Sequence, residues 1–392
     1  MPDAPLYLDA CATTPLAQVA QQAMDQASLT AWANPSSLHG FGLAAAESLE
    51  RSRQSLAAAL GTHTEAVRFC SGATESVHLA LLGAGAALQP GRLLMSGVEH
   101  PAVTAAARQL QQLGWQLQVL PVDPTGVLDL DALASLLEPP TRMVSVIGAQ
   151  SEVGTVQPLD QIAGMCRLAG VLFHTDAVQL APHLPLAMDR QGFDLVSLSA
   201  HKLGGPRGVG ALLVRPGVAL SPLLGGGGQE RGLRSGTEPV ALAAGFAAAL
   251  DLACRQQRDG TTARIQQQRD RLLLALQNLP GVTLSGPEPD RQARLPHHIS
   301  VLLSDPSGRP LSGRQVVRTL WDQGVAASSG SACSGASGRP EPSPVLLAMG
   351  LDRQRASSGL RLSLGCWLDD GQLARVPAAL AQAMAACRAA TP

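Results

Sequence analysis

Ser197 to Gly210 reads SLSAHKLGGPRGVG: an apolar run that stops at a polar, glycine-rich turn and resumes as Val209 to Val214. Of the 29 lysines plus arginines, Lys202 in this turn is the only lysine. Arginine stays protonated and is a poor nucleophile. A desolvated lysine amine can lose its proton and form a Schiff base with an aldehyde. The competing reading is a surface lysine that escaped an arginine-rich composition, but such a lysine belongs more naturally on a polar helix face. The turn between two apolar runs therefore marks both a strand-to-strand passage and a candidate nucleophile.

Working outward, short apolar runs recur at Val67–Cys70, Leu93–Ser96, Leu117–Leu120, Met143–Ile147, Val171–His174, Leu195–Leu198 and Val209–Val214. Helical spacing separates several of them, at Thr74–Leu88, Ala102–Leu113, Leu130–Leu137 and Leu159–Ala169. Alternating strands and helices predict a mostly parallel sheet covered on both faces. Ligands of such sheets lie beyond the carboxyl ends of the strands. Upstream, Tyr7–Pro15 reads as a strand and turn, Asn34–Gly42 as a loop and Ala44–Gly61 as an amphipathic helix. Downstream, a long helical region runs from Glu238 to Asn278, broken near Asp259–Gly260. Ile299–Leu303 and Val325–Ala327 then read as strands, and Gly313–Asp322 and the tail after Asp370 as helices.

Several polar signatures directly follow an apparent strand. SGATES (Ser71–Ser76) fits a phosphate cradle at a helix start, or a plain capping box. His100 in VEHPAV is a ring-bearing candidate, although a lone histidine is commonly structural. Asp176 in HTDAVQ needs a cation or good donors, such as a protonated pyridine nitrogen; an N-cap is the alternative. Arg361, inside the apolar run GLRLSLG, needs an anion, and a substrate carboxylate is a suitable bidentate partner. Cys333 lies in the Gly-, Ser- and Pro-rich stretch Ser328–Val345, where a thiol is either a nucleophile or incidental.

The chain has 392 residues, 45% hydrophobic and 15% charged, with formal net charge −1. That length allows two domains. The balance argues against a nucleic-acid surface, which needs a basic excess. Seven dispersed cysteines without a C-x-x-C pair read as free thiols in a reducing compartment, not as disulfides or a metal site. No secretory signal opens the sequence, and the Ala-rich run Pro239–Cys254 is shorter than the ~18–20 residues of a membrane span. A cytoplasmic enzyme without membrane attachment is expected. No internal repeat is visible.

Taken together, YLDACATTP, NPSSLHGFG, SGATES, VEHPAV, HTDAVQ, SAHK, GGGQERGLRSGT, SSGSACSGAS and RLSLG, in this order over nearly the full length, resemble the cysteine desulfurases. These are the NifS- and IscS-like branch of the class V aminotransferase group. The resemblance implies an α/β fold, fold type I of the pyridoxal-phosphate enzymes. It would have a large domain around a mostly parallel seven-stranded sheet (13–254). A smaller α/β domain would be formed by 1–12 and 255–392 and carry the catalytic-cysteine loop, about 328–345. It implies pyridoxal 5′-phosphate bound to Lys202, with the phosphate held by Ala73, Thr74, Ser199 and His201, and by Thr237 from the other subunit of a homodimer. His100 would stack on the ring, Asp176 would pair with its nitrogen, and Gln179 and Ser151 would face its phenolic oxygen. Arg361 and Asn34 would bind L-cysteine. Cys333 would take the sulfur and pass it to an acceptor protein for Fe–S clusters, thiolated cofactors or tRNA.

Alternatives within this resemblance are a selenocysteine or cystine lyase, or a degenerate sulfur-carrier scaffold. There are three departures from the family pattern. Ser151 stands where asparagine is usual, Cys366 stands where arginine is frequent, and the stretch after Cys333 is longer and richer in proline. The shorter Ser151 side chain predicts a slow desulfurase.

Overall fold

The computed structural model describes residues 4–289, 293–330 and 342–389. Cys333 therefore lies outside the described residues. The strands are β1 (Leu6–Tyr7), β2 (Val67–Cys70), β3 (Arg92–Ser96), β4 (Gln116–Leu120), β5 (Thr141–Ile147) and β6 (Leu172–Asp176). They continue with β7 (Leu195–Ser199), β8 (Gly210–Val214), β9 (Val282–Leu284), β10 (His298–Leu303), β11 (Val325–Ala326) and β12 (Gly359–Ser363).

Seven of them form one sheet in the order β2-β8-β7-β6-β5-β3-β4, mostly parallel as expected. Only β8 runs antiparallel to its neighbours, β2 and β7. The cause is the stretch that opened the sequence reading. A parallel partner needs a crossover of a dozen or more residues, and the short passage from Ser199 to Gly210 permits only a return. Gly204 and Gly208 make that return at φ +84° and +87°, a region costly to residues with a Cβ. Gly210 also lets β8 approach closely, because a Cβ there would lie 2.8 Å from Gly72.

Register brings the functional ends of the strands to one edge. Ile147 pairs with Asp176, Asp176 with Ser197, Ser199 with Gly210 and Gly210 with Cys70. The turns beginning at residues 71, 148, 177 and 200 thus open on the same side.

The remaining strands form an antiparallel sheet, β12-β10-β9, and a parallel pair, β1-β11. Leu6 and Leu8 share a buried cluster with Ile299, Val316, Leu362 and Leu380, so the first described residues pack among the last. The long helical region breaks where expected, between Val240–Arg258 and Thr261–Gln277, with Gly260 at φ +91°.

Three elements differ from the sequence reading. A helix over Gln18–Thr30 has only Ala20 and Ala27 buried, so it carries no large apolar stripe to read. The helix expected over Thr74–Leu88 begins at Ala73 and widens into a π-turn over Leu79–Gly83. The loop expected over 328–345 gives way at its far end to the helix Pro344–Ala348, capped by Ser343. Proline at a first helical position is a start signal there, not loop punctuation.

Candidate active site

Lys202 closes a 3₁₀ turn at the end of β7. Its Nζ donates to the carbonyls of Cys11 and Ala12, each at 2.7 Å. The N-terminal segment clasps this turn. Thr14 N–H donates to His201 O at 3.0 Å, and Gly204 N–H to Thr14 Oγ1 at 2.8 Å. Gln179 donates its amide to the same Cys11 carbonyl at 2.9 Å, so Gln179 and Lys202 meet on one oxygen. His201 contacts Thr13 Oγ1 through Nδ1, and burial, with Lys202 and Arg207 nearby, lowers its pKa to about 4.

Asp176 ends β6 and is buried, one oxygen accepting from Val178 N–H at 3.0 Å. Burial raises its pKa, while the charges of His100 and Lys202 pull it down. His100 is both an N-cap and a neighbour of this carboxylate. Its Nδ1 accepts from Ala102 N–H at 3.1 Å, which leaves the ring proton on Nε2. Burial lowers its pKa, against the pull of Asp176 and with the push of Lys202. His100, Asp176 and Lys202 are thus within electrostatic reach of one another.

At the start of the helix Ala73–His78, Glu75 folds back to accept from Ser71 N–H at 2.7 Å and from Arg234 Nε at 2.9 Å. SGATES therefore makes no capping box: the N-cap is Gly72, without a side-chain cap, and Glu75 reaches past it to Ser71. The first helical N–H groups, at Ala73 and Thr74, have no carbonyl one turn behind them and face the same edge. Ser199 is buried at the end of β7, and Thr237 is exposed beyond the glycine-rich loop. Asn34 is also exposed, and its Oδ1 accepts locally from Ser36 N–H at 2.9 Å.

Arg361 comes from β12. Its Nη2 donates to Asp9 Oδ1 at 2.6 Å and its Nη1 to Ser151 O at 3.1 Å. Its Nε is buried without a partner, a donor that an anion would satisfy. The backbone of Arg361 pairs with Ser328, a few residues before Cys333. The neighbouring Gln150 spends its amide on Val98 O at 3.1 Å and accepts from Glu152 N–H. Gln150 is therefore committed to its own turn.

Two buried groups carry structure that the motifs did not reveal. His174 links Ser145 Oγ at 2.8 Å to Ser197 Oγ at 3.0 Å, and Ser197 Oγ meets Ser76 Oγ at 2.8 Å. This polar thread crosses β5, β6 and β7 and anchors the helix that begins at Ala73. Glu99 accepts from Ser96 Oγ at 2.5 Å and from Ile147 N–H at 2.7 Å, and so fixes the turn that presents His100. Burial pushes its pKa up to about 8, partly opposed by those hydrogen bonds. The only sequence signal was position: Glu99 precedes His100, and His174 stands two residues before Asp176.

A pyridoxal phosphate fits this donor set. An amine, a buried carboxylate and a neutral imidazole converge beside free helix N–H groups and an orphaned guanidinium nitrogen. The aminotransferase class-V pattern matches residues 6–376, and the chain belongs to that family. It is similar to the cysteine desulfurase IscS of Dictyoglomus turgidum, 37% identical over 365 residues, covering 92% of this chain and 90% of the relative. A solved NifS-like protein superposes with TM-score 0.87 at 30% identity, covering 98% of this chain and 99% of that one. SspA, solved in complex with cysteine, superposes with TM-score 0.79 at 29% identity, covering 92% and 98% of the two chains. The fold is that of the pyridoxal-phosphate enzymes of fold type I, and the cofactor is pyridoxal 5′-phosphate.

Proposed function

We propose that the chain is a cysteine desulfurase in which Lys202, Asp176, His100, Arg361 and Cys333 divide the work. The observation that carries this reading is the Arg361 strand. It buries a guanidinium nitrogen that has no partner and pairs its backbone with Ser328, which supports placing substrate carboxylate and sulfur-accepting segment on one element. When bound, the cofactor supplies an aldehyde for an amine and a ring that withdraws electrons from Cα.

The chain's own residues do the rest. Arg361 holds the substrate carboxylate and thereby fixes which Cα bond faces Lys202. The Lys202 amine takes the Cα proton. Asp176, buried at the end of β6, offers a carboxylate to a cationic ring nitrogen, and neutral His100 presents its imidazole without adding charge. The Cys333 thiolate attacks the substrate sulfur. An S–S bond forms as the Cβ–S bond breaks, and protons returned to the carbon skeleton give L-alanine.

Ala73, Thr74, Ser199 and His201 hold the phosphate in this reading, with Thr237 reaching it from a second subunit. Gln179 and Ser151 face the phenolic oxygen, and Asn34 assists Arg361. A homodimer is favoured by the exposed apolar strip Leu29, Trp32, Leu38, Phe41 and Leu43, which lies close in sequence to Asn34. The acceptor is a sulfur-carrying or Fe–S scaffold protein, and the enzyme works in the cytoplasm. Among the described residues no helix is long and apolar enough to cross a membrane. A division into 13–254 and 1–12 with 255–392 is supported by the seven-stranded sheet lying within the first and the two smaller sheets within the second.

The test is to supply L-cysteine, L-cystine and L-selenocysteine separately to the holoenzyme and to its Cys333→Ser variant. Alanine and a Cys333 persulfide from L-cysteine are expected, with persulfide absent in the variant. Undiminished alanine production by Cys333→Ser would instead identify a lyase.

A further inference from the structure

Glu152 has no task in the mechanism above, yet its side chain occupies a crossroads. It sits in the turn after β5, partly buried, with Ser343 Oγ donating to its Oε2 at 2.5 Å. Ser343 is itself 1% exposed and caps the helix Pro344–Ala348 by accepting from Leu346 N–H at 3.1 Å. On the other side, a Cβ at Gly330 would lie 3.0 Å from the same Oε2. Gly330 has φ +78° there, so a side chain would be both strained and crowded. One carboxylate oxygen thus accepts from Ser343 and lies beside Gly330, residues on either side of the segment that carries Cys333.

The groups around Glu152 come from four elements. Arg361 on β12 attracts it, and Ser343 donates to it. Asp9, from the N-terminal segment, pairs with Arg361. His298, at the start of β10, bonds the Ser151 carbonyl through Nε2 at 3.0 Å, and burial holds it neutral.

We infer that Glu152 is a positioning residue for sulfur transfer, its carboxylate fixing Gly330 and Ser343 against the arginine that holds the substrate. The inference rests on the desulfurase reading and deepens it. Glu152 touches neither substrate nor cofactor in this role; it acts through the ends of the Cys333 segment.

The same site predicts a pH response. Burial pushes the Glu152 pKa up to about 7, against the Ser343 hydrogen bond and the Arg361 charge. As pH falls through that value the carboxylate gains a proton. It then loses its attraction to Arg361, and its charge-assisted bond from Ser343 weakens. Sulfur transfer falls with it, while substrate capture by Arg361 and Lys202 persists.

The experiment mixes the full-length holoenzyme with L-cysteine in a single turnover across the neutral range. Mass spectrometry follows persulfide on Cys333, and the cofactor's visible absorbance follows substrate capture. Glu152→Gln is expected to slow persulfide formation roughly ten- to a hundredfold, the effect of losing one charged hydrogen bond, with the absorbance change retained. The step near pH 7 in the unaltered enzyme should vanish from the variant's profile. Ser343→Ala should slow the same step, and Ser343→Thr, which keeps the hydroxyl, should restore it. Equal persulfide rates in Glu152→Gln and the unaltered enzyme, or an unchanged pH profile, would overturn this inference alone. Absence of persulfide on Cys333 in the unaltered enzyme would overturn the desulfurase reading and this inference with it.

Discussion

Replacing Arg53 by methionine isolates a buried charge contact beside the large sheet. Arg53 and Glu230 meet as a fork at 2.8 Å and 2.8 Å, with side chains 7% and 2% exposed. Glu230 also accepts from Phe69 N–H at 2.8 Å, and the Arg53 guanidinium lies 5.0 Å from the Phe69 ring. The pair holds Glu230 and Arg231 at φ 49° and 58°, two consecutive non-glycine residues in the left-handed region. Each such residue costs on the order of 1–3 kcal/mol unless its surroundings fix it.

At this separation and an effective dielectric near 20, the gross attraction is about 6 kcal/mol, most of it offset by desolvation. Arg53→Met keeps the stem but leaves Glu230 buried without a counter-charge, so the expected loss is about 3–5 kcal/mol. Glu230→Gln leaves Arg53 uncompensated at a similar cost. The double variant, with neither charge, should lose less than the two singles together, by about 1–3 kcal/mol. Urea midpoints read from the fluorescence of buried Trp115 supply the cycle, and cofactor retention reports on the Gly225–Thr237 loop that contains Glu230. Additivity within about 0.5 kcal/mol would refute the argument, because it would mean that neither charge depends on the other.

Lys202→Ala should abolish the cofactor's visible band and turnover together, since no second lysine exists to replace it; borohydride reduction of the unaltered holoenzyme must leave the adduct on Lys202. Ser151→Asn should raise kcat/KM for L-cysteine several-fold by adding a donor worth on the order of 1 kcal/mol, whereas Gln150→Ala should act through the Val98 turn and lower stability. The reverse pattern in steady-state kinetics would transfer the role to Gln150. Burial lowers the His174 pKa to about 3, so its contribution to stability is complete above the ordinary histidine value of about 6.5. That contribution, at most roughly 4–5 kcal/mol, is lost as pH falls from there toward the folded value. His174→Gln should therefore be less stable at neutral pH and show a flatter acid limb in thermal melts; an unchanged slope would exclude His174 as its source.

The sheet was legible because its strands are short apolar runs, several of them separated by helical spacing; the antiparallel direction of β8 was not read, although the passage through Lys202 is too short for a crossover. The pocket was legible where chemistry and position coincide: Lys202, Asp176 and Arg361 are each the wrong residue for an apolar context. Other features were not. The Gln18–Thr30 helix packs through alanines, which leave no periodic stripe. Arg53, Glu230, His174 and Ser197 act through partners far away in the chain, and nothing local distinguishes them from ordinary surface residues. Gln179 was expected to face the phenolic oxygen of the cofactor; its amide is turned to the Cys11 carbonyl, a contact that only the tertiary fold creates.

The parallel pairing of Leu6 with Val325 and Tyr7 with Ala326 sets an order of events during synthesis. The first strand is made more than 300 residues before its partner, Val325–Ala326. In the meantime the seven-stranded sheet can assemble. Closing so long a loop is disfavoured chiefly by entropy that grows slowly with length, so the delay is set by translation more than by the search. The carbonyls of Cys11 and Ala12, which follow that strand, reach Lys202 at the same late moment. The contacts that hold the Lys202 amine are thus complete only after β11 has been made, and a product truncated before it would carry a reactive amine with no finished pocket around it.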